Sequence, residues 1–350
     1  MWRRLTLETA ISRQAKENLV VGLLAALCAV AQFRLIAMMF QVWYGRAAEA
    51  ANGVVIGMPH WRSYQSRILG PYMAEAFSKL FPSYLSAHVF VSIGALTIAG
   101  FFAWRLGRTL ANHLMGAALS FTTFHILFAF CLTLPWIYIW DYLSVAIFSA
   151  FVLFVIRERS WRWFAGLFAI AIFNRENALF IALWMIIDPV VRHVLGRRKL
   201  ITMQPVDRSM IAAGVFCVAS GLALTEFLRR ALLVREVGYE LFRDAPETHF
   251  SMVQLQLFNN FGSLIHALTT LDYNMQFVIV AMVLMMVGAA VYMACVDPLR
   301  WAGLGLVQLT IVFAILLVGV LLETRLYIEL IPFLTSAVVV AAARFSSNPA

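Results

Sequence analysis

Eight stretches of this chain are apolar enough, for long enough, to cross a lipid bilayer. They are residues 19–42, 84–106, 113–134, 210–233, 275–296, 301–322 and 326–344, with 142–156 reaching full length if it starts near Trp136. A helix rises 1.5 Å per residue, so about 20 apolar residues cover the hydrocarbon thickness. In lipid every backbone N–H and C=O must be satisfied within the protein, which leaves helices as the economical way for such runs to cross. The expected fold is therefore all-α: a polytopic transmembrane bundle of about eight full spans.

Composition agrees with that reading. Hydrophobic residues make up 62% of the chain and charged ones 13%, against about 25% charged in soluble domains. No polar linker divides the sequence, so residues 1–350 read as one integral membrane domain. The formal charge of +9 would suit nucleic acid in a soluble protein. Here the cations sit in short loops between apolar runs, where they set orientation, and no nucleic-acid partner is expected. Cys28, Cys131, Cys217 and Cys295 lie inside apolar runs without metal spacing and read as small buried hydrophobes. The first apolar run is too long for a signal peptide and reads as a retained span.

Lys and Arg in the loops fix the expected orientation, with the N-terminus cytoplasmic. Arg105, Arg108, Arg157, Arg159, Arg162, Arg192, Arg197 and Arg198 then share the inner side. This creates a parity conflict, because residues 161–188 are basic at both flanks and polar in the middle, at Asn174-Arg175-Glu176-Asn177. Two short helices, roughly 163–173 and 177–187, joined by that polar turn partway across the membrane, resolve it as a re-entrant hairpin. A single continuous span is the competing reading. The hairpin leaves 43–83 and 234–274 as large outer loops. Each holds an interfacial stretch: one from Pro71, with Tyr72, Met73, Ala76, Phe77 and Leu80 on its apolar face, and one over 250–271.

Ionisable groups at membrane depth are costly and mark functional sites. Asn174, Arg175 and Glu176 form the first cluster, in which Arg175 and Glu176 pair locally or Arg175 grips an anion through its planar fork. Glu323, Arg325 and Glu329 form the second. Arg325 and Glu329 are spaced for a helical i,i+4 pair, and Pro332 is expected to loosen the helix. The third is Trp61, Arg62, Tyr64 and Arg67, suited to lipid phosphate. The fourth is the aromatic run 136–142, which carries Asp141 as a lone carboxylate among rings. His249 lies in the second outer loop. Arg34 and Gln32, inside the first span, are expected to tuck against a neighbouring helix. No cofactor signature is present, and the acids leave a divalent metal open.

Taken together, a first span followed by a long outer loop (44–83), a paired short-helix region around Arg175 and a late Glu323/Arg325/Pro332 cluster resemble the type-C glycosyltransferases. These polytopic enzymes use polyprenyl-phosphate-linked sugars. The resemblance implies an inverting sugar transfer on the non-cytoplasmic face, with a lipid-linked sugar donor as partner; compact loops without N-glycosylation sequons suit a bacterial inner membrane. It implies a carboxylate base, for which Glu49 is the positional match in the first outer loop and Asp141 the second candidate. It further implies phosphate binding by Arg175 and Arg325, with Arg67. The rival classes are a transporter or flippase for an anionic or lipid-linked substrate, which broken helices also suit, and a non-catalytic scaffold of an envelope-assembly complex. A scaffold would tolerate substitution at Asp141, Arg175, Glu323 and Arg325.

Overall fold

A computed structural model of the chain describes residues 2–57, 66–131, 137–198, 201–202, 205–232, 255–270, 275–319 and 323–347. The protein is an all-α polytopic bundle, 88% helical, with no strand among the described residues. The helices are α1 (Trp2–Val55), α2 (Leu69–Ser78), α3 (Tyr84–Ala111), α4 (Leu114–Phe130), α5 (Ile139–Ile156) and α6 (Trp161–Ala171), followed by α7 (Leu179–Arg197), α8 (Arg208–Leu232), α9 (Leu257–Thr270), α10 (Met275–Val296), α11 (Pro298–Val318) and α12 (Ile331–Ser347). Short 3₁₀ turns occupy Glu176–Ala178 and Thr324–Leu330. Seven helical segments are long and apolar enough to cross a membrane, and Leu114–Phe130 and Val280–Val296 are shorter apolar helices.

α5 is the central span. Every residue from Ile139 to Ile156 except Phe154 is buried, as expected for a helix that is hydrophobic all round. α3 packs against α1, α4 and α5, α12 closes on α3 and α4, and α7 packs against α8 and α11. Polar side chains lock several of these contacts. Gln32 and His125 bond reciprocally across α1 and α4, at 3.0 and 2.7 Å. The Tyr44 hydroxyl meets His88 Nδ1 at 2.7 Å. Gln32 is therefore tucked in as expected, but Arg34 is not: two residues further on, about 200° around the helix, it is exposed. Cys295 is likewise exposed rather than buried.

The segment 161–188 is broken where expected and returns to the end it left. Phe164 of α6 and Trp184 of α7 both pack on Phe151, near the far end of α5. The break itself lies against the first turns of α5, where Asn174 Nδ2 donates to the Trp140 carbonyl at 2.9 Å and to Ser144 Oγ at 3.1 Å. The turn thus reaches the opposite end of α5 instead of stopping halfway. The second arm is also longer than the expected 177–187, running to Arg197 as a 19-residue helix. Its polar stretch stays helical because Arg192 Nε pairs with buried Asp188 at 2.6 Å, one turn away.

Residues 43–83 are not simply a loop. α1 continues to Val55, because Ala47, Ala50, Ala51 and Val54 form an apolar stripe that packs with Tyr138, Ile139 and Trp140. α2 forms near Pro71 as expected but docks by another face. Gly70, Pro71 and Ala74 are buried, while Tyr72, Ala76 and Leu80 stay exposed. A Cβ on Gly70 would come within 2.7 Å of Ile139 Cγ2, so the small-residue face is what lets α2 sit on α5. Within 234–274, the second expected loop, α9 exposes Phe258, Phe261 and Ile265. Buried Asn260 donates to the carbonyls of Leu316 and Gly319, both at 2.8 Å, capping the end of α11.

Candidate functional site

The basic groups gather at one end of the bundle. Arg108 pairs with Glu17 of α1 at 3.1 Å, Arg157 approaches Thr109 of α3, and Arg344 donates to the Val296 carbonyl. The other charged residues singled out from the sequence meet near the opposite end of α5, where three separated parts of the chain converge.

Asp141 is the hub. As the third residue of α5 it accepts a hydrogen bond from the Tyr138 backbone N–H at 2.9 Å, reaching back to the helix start as a carboxylate at this position does. Its negative charge also suits the positive end of the helix dipole. One of its oxygens takes Arg175 Nη1 at 3.0 Å, and the other lies 3.5 Å from Arg325 Nη1. The carboxylate is fully buried, far from the lone acid among rings that its neighbours suggested. Arg175 also lies 3.6 Å from Glu329, which accepts from Asn177 Nδ2 at 2.6 Å. Arg325 is completed by Glu323 at 2.8 Å.

Neither local pair suggested by spacing forms. Arg175 and Glu176 are neighbours in sequence, yet the extended backbone at Arg175 (φ −166°, ψ 149°) sends their side chains to different partners. Arg325 and Glu329 do not pair because Thr324–Leu330 is a 3₁₀ turn. With three residues per turn, positions four apart lie about 120° apart around the axis. Pro332 does not loosen a helix either. α12 begins at Ile331, so Pro332 falls in its first turn, where a missing N–H costs nothing.

Glu176 heads an adjoining cluster. It accepts from Ser66 Oγ at 2.7 Å and from Arg229 Nη2 at 2.6 Å, and lies 3.5 Å from Arg67 Nε. The helix break frees the Phe173 carbonyl, which the Leu69 N–H takes at 2.9 Å, so the start of α2 is pinned to the break. Aromatic rings join the two clusters. Arg67 lies over Trp140 at 5.6 Å, Trp140 stacks on Tyr138 with ring centroids 4.6 Å apart, and Arg325 lies over Tyr138 at 4.9 Å.

Four acids (Asp141, Glu176, Glu323, Glu329) thus face four arginines (Arg67, Arg175, Arg229, Arg325), and their formal charges cancel. Burial divides them. Asp141 and Glu329 are sealed, whereas the Glu176 and Glu323 side chains keep 23% and 29% exposure. Glu176 and Glu323 thus form the exposed edge of the cluster, and the sealed pairs lie behind them. An apolar groove of about 890 Å³ lies between α6 and α8, lined by Ala165, Phe168, Ile172, Phe173, Ala212 and Leu224 among others. It ends beside the cluster: Phe173 precedes Asn174, and Arg229 lies five residues beyond Leu224.

Of the residues expected at a site, Asp141, Asn174, Arg175, Glu176, Glu323, Arg325, Glu329 and Arg67 come together. Glu49 is exposed, on the side of α1 opposite the stripe that packs on Tyr138 and Trp140. Arg62, Tyr64 and His249 lie outside the described residues. Sequence reasoning missed Ser66 and Arg229. The signal for Arg229 is the Arg229–Arg230 pair at the end of a span that charge bias assigns to the outside. Among the described residues no three His, Cys, Asp or Glu side chains converge as a metal-binding set. No protein-family model, curated protein or solved structure matches the chain.

Proposed function

We propose that the protein is a membrane glycosyltransferase that moves a sugar from a polyprenyl-phosphate donor to an acceptor hydroxyl on the non-cytoplasmic face of a bacterial inner membrane. The observation that carries this reading is the apolar groove between α6 and α8, which ends near the partly exposed Glu176 carboxylate and the largely buried Arg67 and Arg229 that hold it. Along α8 it extends from Ser209 to Leu224, roughly 20 Å at 1.5 Å per residue, a length that suits an isoprenoid chain. Basic loops gathered at the far end of the bundle support, by charge bias, a cytoplasmic position for that end, and with it a non-cytoplasmic one for the arginine cluster.

In this reading the tail lies in the groove and the phosphate takes Arg67 and Arg229, displacing the Glu176 carboxylate that holds them together. Arg175 and Arg325 stand behind, aimed by Asp141, which acts as a positioning residue because both its oxygens are engaged. Glu323 has one charged partner and an open side, and serves as the base. It takes the acceptor proton while the acceptor oxygen bonds to the anomeric carbon and the bond to the phosphate oxygen breaks, releasing polyprenyl phosphate. Guanidiniums stabilise the charge on the leaving phosphate, and losing one such donor costs about 10²–10³-fold in rate.

The test is reconstituted protein supplied with radiolabelled polyprenyl-phosphate sugars. Transfer by the wild type, with kcat lowered about 100-fold in R229Q, is the expected result. An unchanged rate in R229Q, or no saturable binding of polyprenyl phosphate by the wild type, overturns the proposal. The break between α6 and α7 favours a carrier as the second reading. A carrier would deliver the lipid-linked sugar to the other leaflet with its glycosyl–phosphate bond intact.

A further inference from the structure

A polar pocket of about 510 Å³ lies at the opposite end of the bundle, and it has no part in the site described above. Gln14 and Glu17 of α1, Arg105, Arg108 and Thr109 of α3, and Arg157 just after α5 line it. In a chain this apolar, an all-polar lining needs an explanation. Orientation signals require only that cations lie in loops on one side; they do not require three guanidiniums from two helices to face one space.

The local charges do not cancel. Among the described residues lining the pocket there are three arginines and one acid, a formal +2. Glu17 is already engaged, by Arg108 Nε at 3.1 Å and by Trp104 Nε1 at 3.2 Å. Among the described residues Arg105 Nη1 donates to the neutral Asn18 Oδ1 at 3.1 Å and shares Glu17 with Arg108 only at a distance, and Arg157 donates to the Thr109 hydroxyl, at 3.4 Å from both Nε and Nη2. Burial, and then the like charges of Arg105 and Arg159, draw the Arg157 guanidinium below its ordinary pKa. Two half-buried cations held against neutral acceptors repel each other, and an anion between them removes that cost. Planar guanidiniums accept phosphate oxygens two at a time.

We propose that this pocket binds a phosphate ester, presented as the headgroup of an anionic glycerophospholipid. The pocket sits where α1, α3 and α5 reach the end of their apolar stretches, so a headgroup enters it without leaving the bilayer. Its natural source is the leaflet on the basic side. This inference stands independently of the glycosyltransferase reading.

The test uses full-length protein in detergent, titrated with a short-chain phosphatidylglycerol or phosphatidylcholine and read by native mass spectrometry, with inorganic phosphate against chloride at equal ionic strength as a third arm. Wild type should bind phosphatidylglycerol in preference to phosphatidylcholine. R105Q/R157Q should bind it at least about tenfold more weakly, while R162Q/R198Q, which removes two exposed cations elsewhere, should bind as wild type does. Protection by inorganic phosphate as well identifies a general phosphate site, and its absence identifies the headgroup; either outcome supports the proposal if it depends on Arg105 and Arg157. Where the double variant does not fold, R157Q alone is read the same way. Equal lipid binding by wild type and the Arg105/Arg157 variants overturns the proposal.

Discussion

Replacing Arg175 by Met tests whether the buried charges are held by one another. The guanidinium is 5% exposed, and its two partners, Asp141 and Glu329, are fully buried. With Arg175 gone, Glu329 keeps Asn177 as a neutral donor and Asp141 keeps Arg325 and the Tyr138 N–H, but a net negative charge is left inside the bundle. Breaking a buried pair by removing one partner costs about 3–5 kcal/mol, most of it the uncompensated charge. At about 2.1 cal/mol/K of unfolding entropy per residue, each kcal/mol moves Tm by about 1.4 °C in a chain of 350 residues, so R175M should melt roughly 4–7 °C lower. R175M/E329M removes one charge of each sign and should recover more than half of that loss, since exchanging a buried pair for apolar side chains of similar size is often neutral. Melting curves for wild type, both single variants and the double variant in one detergent complete the thermodynamic cycle. Additive losses in the double variant, or an unchanged Tm in R175M, would refute the charge-balance argument.

A212W places a large side chain in the groove between α6 and α8; it should raise KM for a polyprenyl-phosphate donor while leaving Tm within about 2 °C, measured on the same preparation. N260A removes the donor to three carbonyls at the end of α11 and should cost about 1–3 kcal/mol, with faster hydrogen exchange confined to the α9–α11 contact. Asp207 lies before α8 and accepts from the Ser209 hydroxyl and the Met210 N–H, which hold its carboxyl below the ordinary pKa. A lowered folded pKa gives stability that is present above the unfolded value and lost as pH falls through the folded one. D207A should therefore cost about 1 kcal/mol at pH 7, and the gap to wild type should close in melts taken below the carboxylate range.

Much of the architecture was legible because lipid allows so few solutions. Run length identified six of the seven long apolar helices, missing Glu176–Arg197, and the conflict between two basic flanks and a polar centre located the break at Asn174–Asn177. The extent of the second arm was harder to read, since residues 189–197 look like a loop until Asp188 is seen paired with Arg192. The polar residues of the site were visible as costly groups, but not their partners. Spacing suggested Arg175 with Glu176 and Arg325 with Glu329; an extended residue and a 3₁₀ turn redirect all four. Glu49 satisfied a positional expectation, yet an alanine stripe turns it to the opposite side of α1. Arg229 went unnoticed because a basic pair at a helix end is ordinary unless its side of the membrane is considered.

The wide separation of the cluster's members along the chain has a consequence for biosynthesis. Asn177 and Glu329 are 152 residues apart, and at roughly 5–20 residues per second the ribosome needs about 8–30 s to deliver the second after the first. Throughout that interval the α6–α7 hairpin holds a cation whose final counter-charge has not been made. Asp141, already made, balances Arg175 in the meantime, and a polypeptide truncated before the last helix docks would present quality-control proteases with an unfinished ionic core.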